Sequence, residues 1–312
     1  MLDLARVERA AAEIDPVFRD SPQFLAEELC ETLGCDVVLK VETVNPIRSF
    51  KGRGTDWLAR AGGEGPLACA SAGNFGQGLA YAGRTNQREV HVFVAADANP
   101  LKVERIGALG ATVTEIDGDF DDARDAVVAA SAERVWQLVV DGLDPEIAEG
   151  AATIAVELGR LPPLDVVLVP VGNGSLICGV AAWLKHVSPE TEVVAVGPEG
   201  APAMERAWRT GDTSPGEPTA TIADGLASRV PVPEAVELMR EVVDRFVLVD
   251  DEAMLRAVRL LYERCGLITE PSGAAGIAAA MALKADLRDR RVGVPLCGSN
   301  ITRDLLARAL AP

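Results

Sequence analysis

The chain has 312 residues, 48% of them hydrophobic, which suits one large or two modest domains with a real core and is too apolar for disorder. Against 30 Lys and Arg stand 47 Asp and Glu, a formal net charge of −17, so neither nucleic acid nor an anionic membrane is an expected partner. With only two histidines, His91 and His186, neither a multi-histidine metal centre nor a histidine-based triad is expected, and no metal ligands are assigned.

The N-terminal twenty residues are interrupted by Asp3, Arg6, Glu8, Arg9 and Glu13, so they lack the apolar core of a signal peptide. No uncharged apolar stretch reaches the roughly 18 residues of a membrane span. Six cysteines, Cys30, Cys35, Cys69, Cys178, Cys265 and Cys297, form no CxxC pair. The expectation is reduced thiols in a cytoplasmic enzyme.

In chain order, short β-branched runs alternate with alanine-rich helical stretches. Strands are predicted over 36–42 and 67–70, then a helix over 76–87. A strand over 89–95, a helix over 100–109, a strand over 111–116 and a helix over 120–133 follow. A second series has a helix over 151–158, a buried strand over 165–171, a helix over 176–186 and a strand over 192–197. Residues 210–218 read as a loop. Helices over 252–265 and 272–284, a strand over 291–297 and a last helix complete the chain. This order predicts an α/β fold with two open, twisted, mostly parallel sheets flanked by helices, and a crevice where ligands bind.

Three glycine-rich turns follow strands. Ser71-Ala-Gly-Asn-Phe-Gly-Gln-Gly78 offers backbone N–H groups at a helix start, suited to a carboxylate or phosphate. In Val169-Pro-Val-Gly-Asn-Gly-Ser-Leu176, Gly172 and Gly174 let the backbone approach an anion and Ser175 adds a hydroxyl. A dinucleotide fingerprint would need a third glycine where Ile177 stands, so a phosphate monoester fits better, and an NAD-binding reductase is the alternative class. The third turn is Leu296-Cys-Gly-Ser-Asn300, with Cys297 at the strand end.

Only five lysines occur. Lys40 falls in a strand, and Lys102, Lys185 and Lys284 fall in helices where solvation is expected. Lys51 lies instead in a turn-rich, glycine-flanked segment, Asn45-Pro-Ile-Arg-Ser-Phe-Lys-Gly-Arg-Gly54. A crevice lysine beside a phosphate nest suggests a Schiff base with pyridoxal phosphate.

These segments resemble the fold-type II pyridoxal-phosphate enzymes, in the branch of threonine/serine dehydratases and serine racemase. The resemblance rests on Ser49-Phe-Lys-Gly-Arg-Gly54, Ser71-Ala-Gly-Asn-Phe-Gly-Gln77, Val169-Pro-Val-Gly-Asn-Gly-Ser-Leu176, Thr221-Ile-Ala-Asp-Gly-Leu226, Glu270-Pro-Ser-Gly273 and Cys297-Gly-Ser-Asn300, all in family order. It implies a tryptophan synthase β-like fold, with a large domain over 1–65 and 141–312, a small domain over 66–140, and the site in the cleft between them. Lys51 would hold the cofactor and move the Cα proton, and Phe50 would lie against the ring. Asn74 would bond the ring hydroxyl, and Gly172, Asn173, Gly174, Ser175 and Leu176 would cradle the phosphate. Cys297 would face the pyridine nitrogen. Ser71 with Gly73, Asn74 and Phe75 would grip the substrate carboxylate.

The implied reaction is ammonia loss from L-threonine or L-serine by β-elimination. Threonine-synthase-like chemistry, β-replacement and racemisation are the alternatives within the family, and a homodimer is the implied assembly. Four departures stand out. Asn173 and Ser175 replace glycines, Phe75 replaces a frequent His, Arg48 stands where glycine is frequent, and the racemase-type metal ligands are missing around Glu199.

Overall fold

The computed structural model describes residues 2–311 apart from 97 and 99. Its elements run α1 (Leu4–Glu13), β1 (Gln23–Leu25), α2 (Glu27–Leu33), β2 (Asp36–Val41), α3 (Lys51–Ala61), β3 (Leu67–Ala70), α4 (Asn74–Thr85) and β4 (Val90–Ala95). Next come α5 (Pro100–Ala108), β5 (Thr112–Ile116), α6 (Phe120–Arg134), β6 (Gln137–Leu138), α7 (Pro145–Leu158), β7 (Val166–Pro170), α8 (Ser175–Val187) and β8 (Glu192–Pro198). The chain closes with α9 (Ala203–Thr210), α10 (Pro233–Val242), β9 (Arg245–Val249), α11 (Asp251–Cys265), α12 (Pro271–Ala282), β10 (Arg291–Leu296) and α13 (Arg303–Leu310).

Two sheets form, ordered β1-β2-β10-β7-β8-β9 and β5-β4-β3-β6. Every pairing is parallel except β1 on β2, in agreement with the α/β expectation. β7 is buried at all five positions, as an unbroken Val/Leu run between two helical layers requires. α12 is buried over Pro271–Ala280, and its small residues let it approach β7 closely: a Cβ on Gly276 would lie 3.1 Å from the Leu168 carbonyl oxygen. Among the described residues no helix is long and apolar enough to cross a membrane.

Several boundaries differ from the sequence reading. α4 starts at Asn74 rather than 76, with Gly73 at its N-cap, and the Ser71 hydroxyl accepts hydrogen bonds from the Gly73 and Gly76 N–H groups across that turn. α7 starts at Pro145 rather than 151, with proline at its first position, where its missing N–H is harmless. Besides the elements predicted above, the chain forms α1, α2, α3, α9, α10, β1, β6 and β9. The three strands among them are short or only half-buried, and α1, α2, α9 and α10 are charged on one side.

A buried ionic network ties α3, β2 and α7 together. Arg53, fully buried, donates to both oxygens of Glu42 (2.7 and 2.9 Å) and both of Glu157 (2.7 and 2.9 Å). Lys40, also fully buried, pairs with Glu157 and donates to the Ser21 carbonyl at 2.8 Å. Two cations thus meet two carboxylates. Burial works against Glu157's charge, yet Arg53 and then Lys40 overcome it and hold that carboxyl down to about 2. Burial pulls the Lys40 amine down as well, so the pair contributes less than its short contact suggests. Lys102 and Lys185, expected to be solvated, are ion-paired with Asp224 and Asp244.

Candidate active site

The turns read as functional all leave the carboxyl ends of parallel strands, where open α/β sheets place ligands. Lys51 is the first residue of α3 rather than part of an extended turn. Just before it, the Phe50 N–H and the Ser49 hydroxyl both donate to the Cys297 carbonyl at 3.1 Å, which fixes the helix start to the end of β10. The glycines beside Lys51 serve packing, not flexibility: a Cβ on Gly52 would lie 2.2 Å from the Phe18 ring, and one on Gly54 would lie 2.4 Å from the Ile147 carbonyl oxygen. Arg48, standing where the resemblance places glycine, takes φ +54°, in the left-handed region that favours glycine.

The Lys51 amine lies 2.7 Å from an Asp141 oxygen and 3.5 Å from the Ser175 hydroxyl. The Phe50 and Phe75 ring centres stand 4.7 and 5.6 Å from it. Asp141 was not read from the sequence. Its signal is an acid followed by glycine in the turn just after β6, at the same sheet edge as the other turns.

The second glycine turn opens α8. Gly174 takes φ +106°, and a Cβ on Gly172 would lie 2.4 Å from the Gly225 carbonyl oxygen, so both positions require glycine. The Asn173 side chain accepts from the Ser228 hydroxyl at 2.9 Å, which turns it away from the helix start. Ser175 and Leu176 begin α8, whose first N–H groups have no intrahelical acceptors and attract an anion.

The first glycine turn opens α4. Helix geometry leaves the Asn74 and Phe75 N–H groups without intrahelical acceptors, while Gly73 and Gly76 donate to Ser71 at 3.2 Å. That leaves the Ser71 hydroxyl proton to donate outward. The Asn74 amide donates to Glu270 at 2.6 Å and accepts from the Asn300 amide at 2.7 Å. One Asn74 amide proton is therefore spare. Glu270 also accepts from the Asn300 N–H at 3.0 Å, and Arg105 donates to Asn300 at 2.9 Å. Burial, with Asp224 adding to it, pushes the Glu270 carboxyl up to about 7.

Cys297 directly follows β10, buried, its thiol 3.6 Å from the Ser272 carbonyl. Burial pushes that thiol up to about 12, so it stays neutral. All six cysteines are free. The Ser272 hydroxyl is buried without a hydrogen-bond partner.

Comparison with known proteins fits this geometry. Residues 14–298 match the model of the family described as "Pyridoxal-phosphate dependent enzyme". The chain is 34% identical to phenylserine dehydratase of Ralstonia pickettii, covering 99% of this chain and 96% of that one. It is 30% identical to the L-threonine ammonia-lyase of Thermotoga maritima, covering 99% and 78%. Among solved structures it resembles maize serine racemase, with a TM-score of 0.91, 25% identity and coverage of 99% and 97%.

The residues present fit pyridoxal phosphate. An anion cradle that only glycine can form, a lysine amine beside it, a neutral buried thiol and an orphaned buried hydroxyl together match a phosphorylated, amine-reactive aromatic ring. A NAD-binding reductase is set aside by the same match. With 285 consecutive residues under the family model, relatives aligned over 99% of this chain and a site suited to the cofactor, the chain belongs to the pyridoxal-phosphate dependent enzyme family.

Proposed function

We propose that this chain is an ammonia-lyase that acts on a β-hydroxy-α-amino acid, L-threonine or L-serine first, and releases the 2-oxo acid and ammonia. The observation that carries the reading is the Lys51 amine beside the helix-start cradle of Ser175. The two relatives named for dehydration and ammonia loss, each aligned over nearly all of this chain, support it.

When bound, pyridoxal phosphate supplies an electron sink for the substrate α-carbon. In this reading Lys51 holds the cofactor and takes the Cα proton. The N–H groups of Gly172, Asn173, Gly174, Ser175 and Leu176 hold its phosphate. Phe50 lies against its ring, and the spare Asn74 amide proton binds its hydroxyl. Cys297 would meet the ring nitrogen as a neutral thiol, offering no carboxylate to hold a proton there, and the weaker electron sink that results would favour loss of a β-hydroxyl. Ser71, Gly73, Asn74 and Phe75 hold the substrate carboxylate. The net change loses water from the amino acid and regains it when the enamine product hydrolyses.

A racemase needs a second proton-transfer group across from Lys51. In the serine racemase pattern a serine precedes the Gly-Asn pair. Here Ala72 occupies that position, its methyl group packed against the core beneath the smaller sheet. Elimination is favoured accordingly.

The chain divides into a small domain over 66–140 and a large one over 1–65 and 141–312, supported by all four strands of the smaller sheet lying within 66–140. It works as a homodimer. It resides in the cytoplasm.

The test is borohydride reduction of the purified protein followed by peptide mapping, together with product assays on L-threonine and L-serine. The pyridoxyl group should sit on Lys51, and 2-oxobutanoate or pyruvate should form. Lys51→Ala should lose the adduct and at least about a hundredfold in turnover. A pyridoxyl group on another lysine overturns the site. Cofactor on Lys51 with no oxo acid from either substrate overturns the substrate class.

A further inference from the structure

Asp141 is the acid that touches the reacting nitrogen, and none of the motifs that carry the family resemblance contains it. Both its oxygens are engaged: one lies 2.7 Å from the Lys51 amine, and the other accepts from the Ser175 hydroxyl at 2.6 Å. Both side chains of the ion pair are largely out of water, at 14% and 12% exposure, so the attraction is weakly screened. The backbone brings the two loops together. Gly142 takes φ +92°, and a Cβ there would lie 2.3 Å from the Asn173 carbonyl oxygen. The turn after β6 is thus pressed onto the loop that opens α8, and there the Asp141 carboxylate meets both Lys51 and Ser175. Asp144 closes the same turn, accepting from the Val140 N–H at 2.6 Å.

Other titratable groups bear on the pair from each neighbouring element. Cys297 at the end of β10 and Cys178 on α8 are thiols pushed up to about 12 by burial, and both are neutral. Asp144, at the start of α7, lies near enough to repel Asp141 and has its own carboxyl raised, first by burial. Just before α3 the Phe50 ring flanks the amine, and on α4 the Phe75 ring does so. Within this set Asp141 is the group whose negative charge reaches the Lys51 nitrogen.

We propose that Asp141 is a catalytic residue of this chain that holds the proton on the Lys51 nitrogen. The inference rests on the reading that Lys51 carries the cofactor. A proton held on that nitrogen makes the carbon bonded to it more electrophilic toward an incoming substrate amine. The Ser175 hydroxyl keeps the Asp141 carboxylate aligned for the task. No bond is made or broken by Asp141. It supplies a fixed counter-charge at hydrogen-bond distance.

The experiment is a pH titration of the visible absorbance band of the cofactor-loaded protein, native and Asp141→Asn. Protonated and unprotonated forms of the nitrogen absorb at different wavelengths. Removing an opposite charge in contact should move the conversion midpoint down by about 1–3 pH units. Asp141→Glu, which restores the charge, should return the midpoint toward the native value. If Asp141→Asn does not fold, Asp141→Ser is read in the same way. A borohydride-sensitive band on Lys51 whose midpoint is the same in native protein and variant overturns the proposal and leaves the cofactor reading intact. A native protein with no such band overturns the cofactor reading and this proposal with it.

Discussion

The Asn74 amide donates to the Glu270 carboxylate at 2.6 Å, joining the first turn of α4 to the start of α12 across the site. Asn300 closes the triangle, donating to both residues, and Arg105 on α5 reaches it from the other sheet's layer. The orientation of Asn74 is therefore set by a carboxylate that burial renders reluctant to ionise.

That reluctance has a sign. The Glu270 carboxyl is raised from its ordinary 4.5 to about 7, first by burial and then by Asp224. A carboxyl raised on folding contributes stability that is present below its ordinary value and lost as pH rises through about 7. Urea midpoints of the native protein should therefore fall, relative to Glu270→Gln, between pH 5 and pH 8. A difference between the two proteins that stays constant across that range would refute the assignment.

At Cys297 the thiol is neutral and its neighbour is a backbone carbonyl. Cys297→Ser should keep the cofactor and most of the turnover, since a hydroxyl makes the same contact. Cys297→Asp places a charge where the ring nitrogen is proposed to sit, and should lower elimination while cofactor stays bound. Cofactor stoichiometry measured beside oxo-acid production separates the two effects. Loss of cofactor from the serine variant counts against this placement.

The network beneath Lys51 makes a stability prediction. Glu157→Gln leaves Arg53 and Lys40, both fully buried, with Glu42 as their remaining carboxylate. Breaking such a network by removing one partner costs about 3–5 kcal/mol. In the native protein the contribution of Glu157 is fully present above its ordinary 4.5 and is lost as pH falls toward about 2. Guanidinium midpoints at pH 7 check the mutation. A variant as stable as the native protein would mean that the two cations are solvated or re-paired.

Ala72→Ser adds a hydroxyl beside Gly73 and Asn74, at the half-buried edge of its cluster. It should introduce measurable D-serine formation from L-serine, while the native protein yields pyruvate with little D-serine. Chiral analysis of the product mixture decides it. Native protein that makes D-serine as fast as pyruvate would show that Ala72 does not control the outcome.

The class of fold and the glycine-rich turns that frame the candidate site are legible in the order of residues. Alternating β-branched and alanine-rich runs specify parallel strands with helical crossovers, because each pattern buries one kind of face. Glycine-rich turns after strands are legible because only glycine permits the backbone conformation at Gly174 and the close approach at Gly172. Tertiary structure alone decided what those turns meet. Locally Asp141 is marked only as an acid before a glycine in a turn, and it becomes significant because the turn after β6 and the start of α8 bring residues 34 positions apart to 2.6 Å. Lys40 and Glu157 are likewise unremarkable along the chain, and Glu270 acquires its raised carboxyl from burial and from Asp224, both supplied by the fold. Local backbone preference and hydrophobic period are written in neighbouring residues. Charge pairing and burial depend on distant ones, which is why they had to be read from the fold.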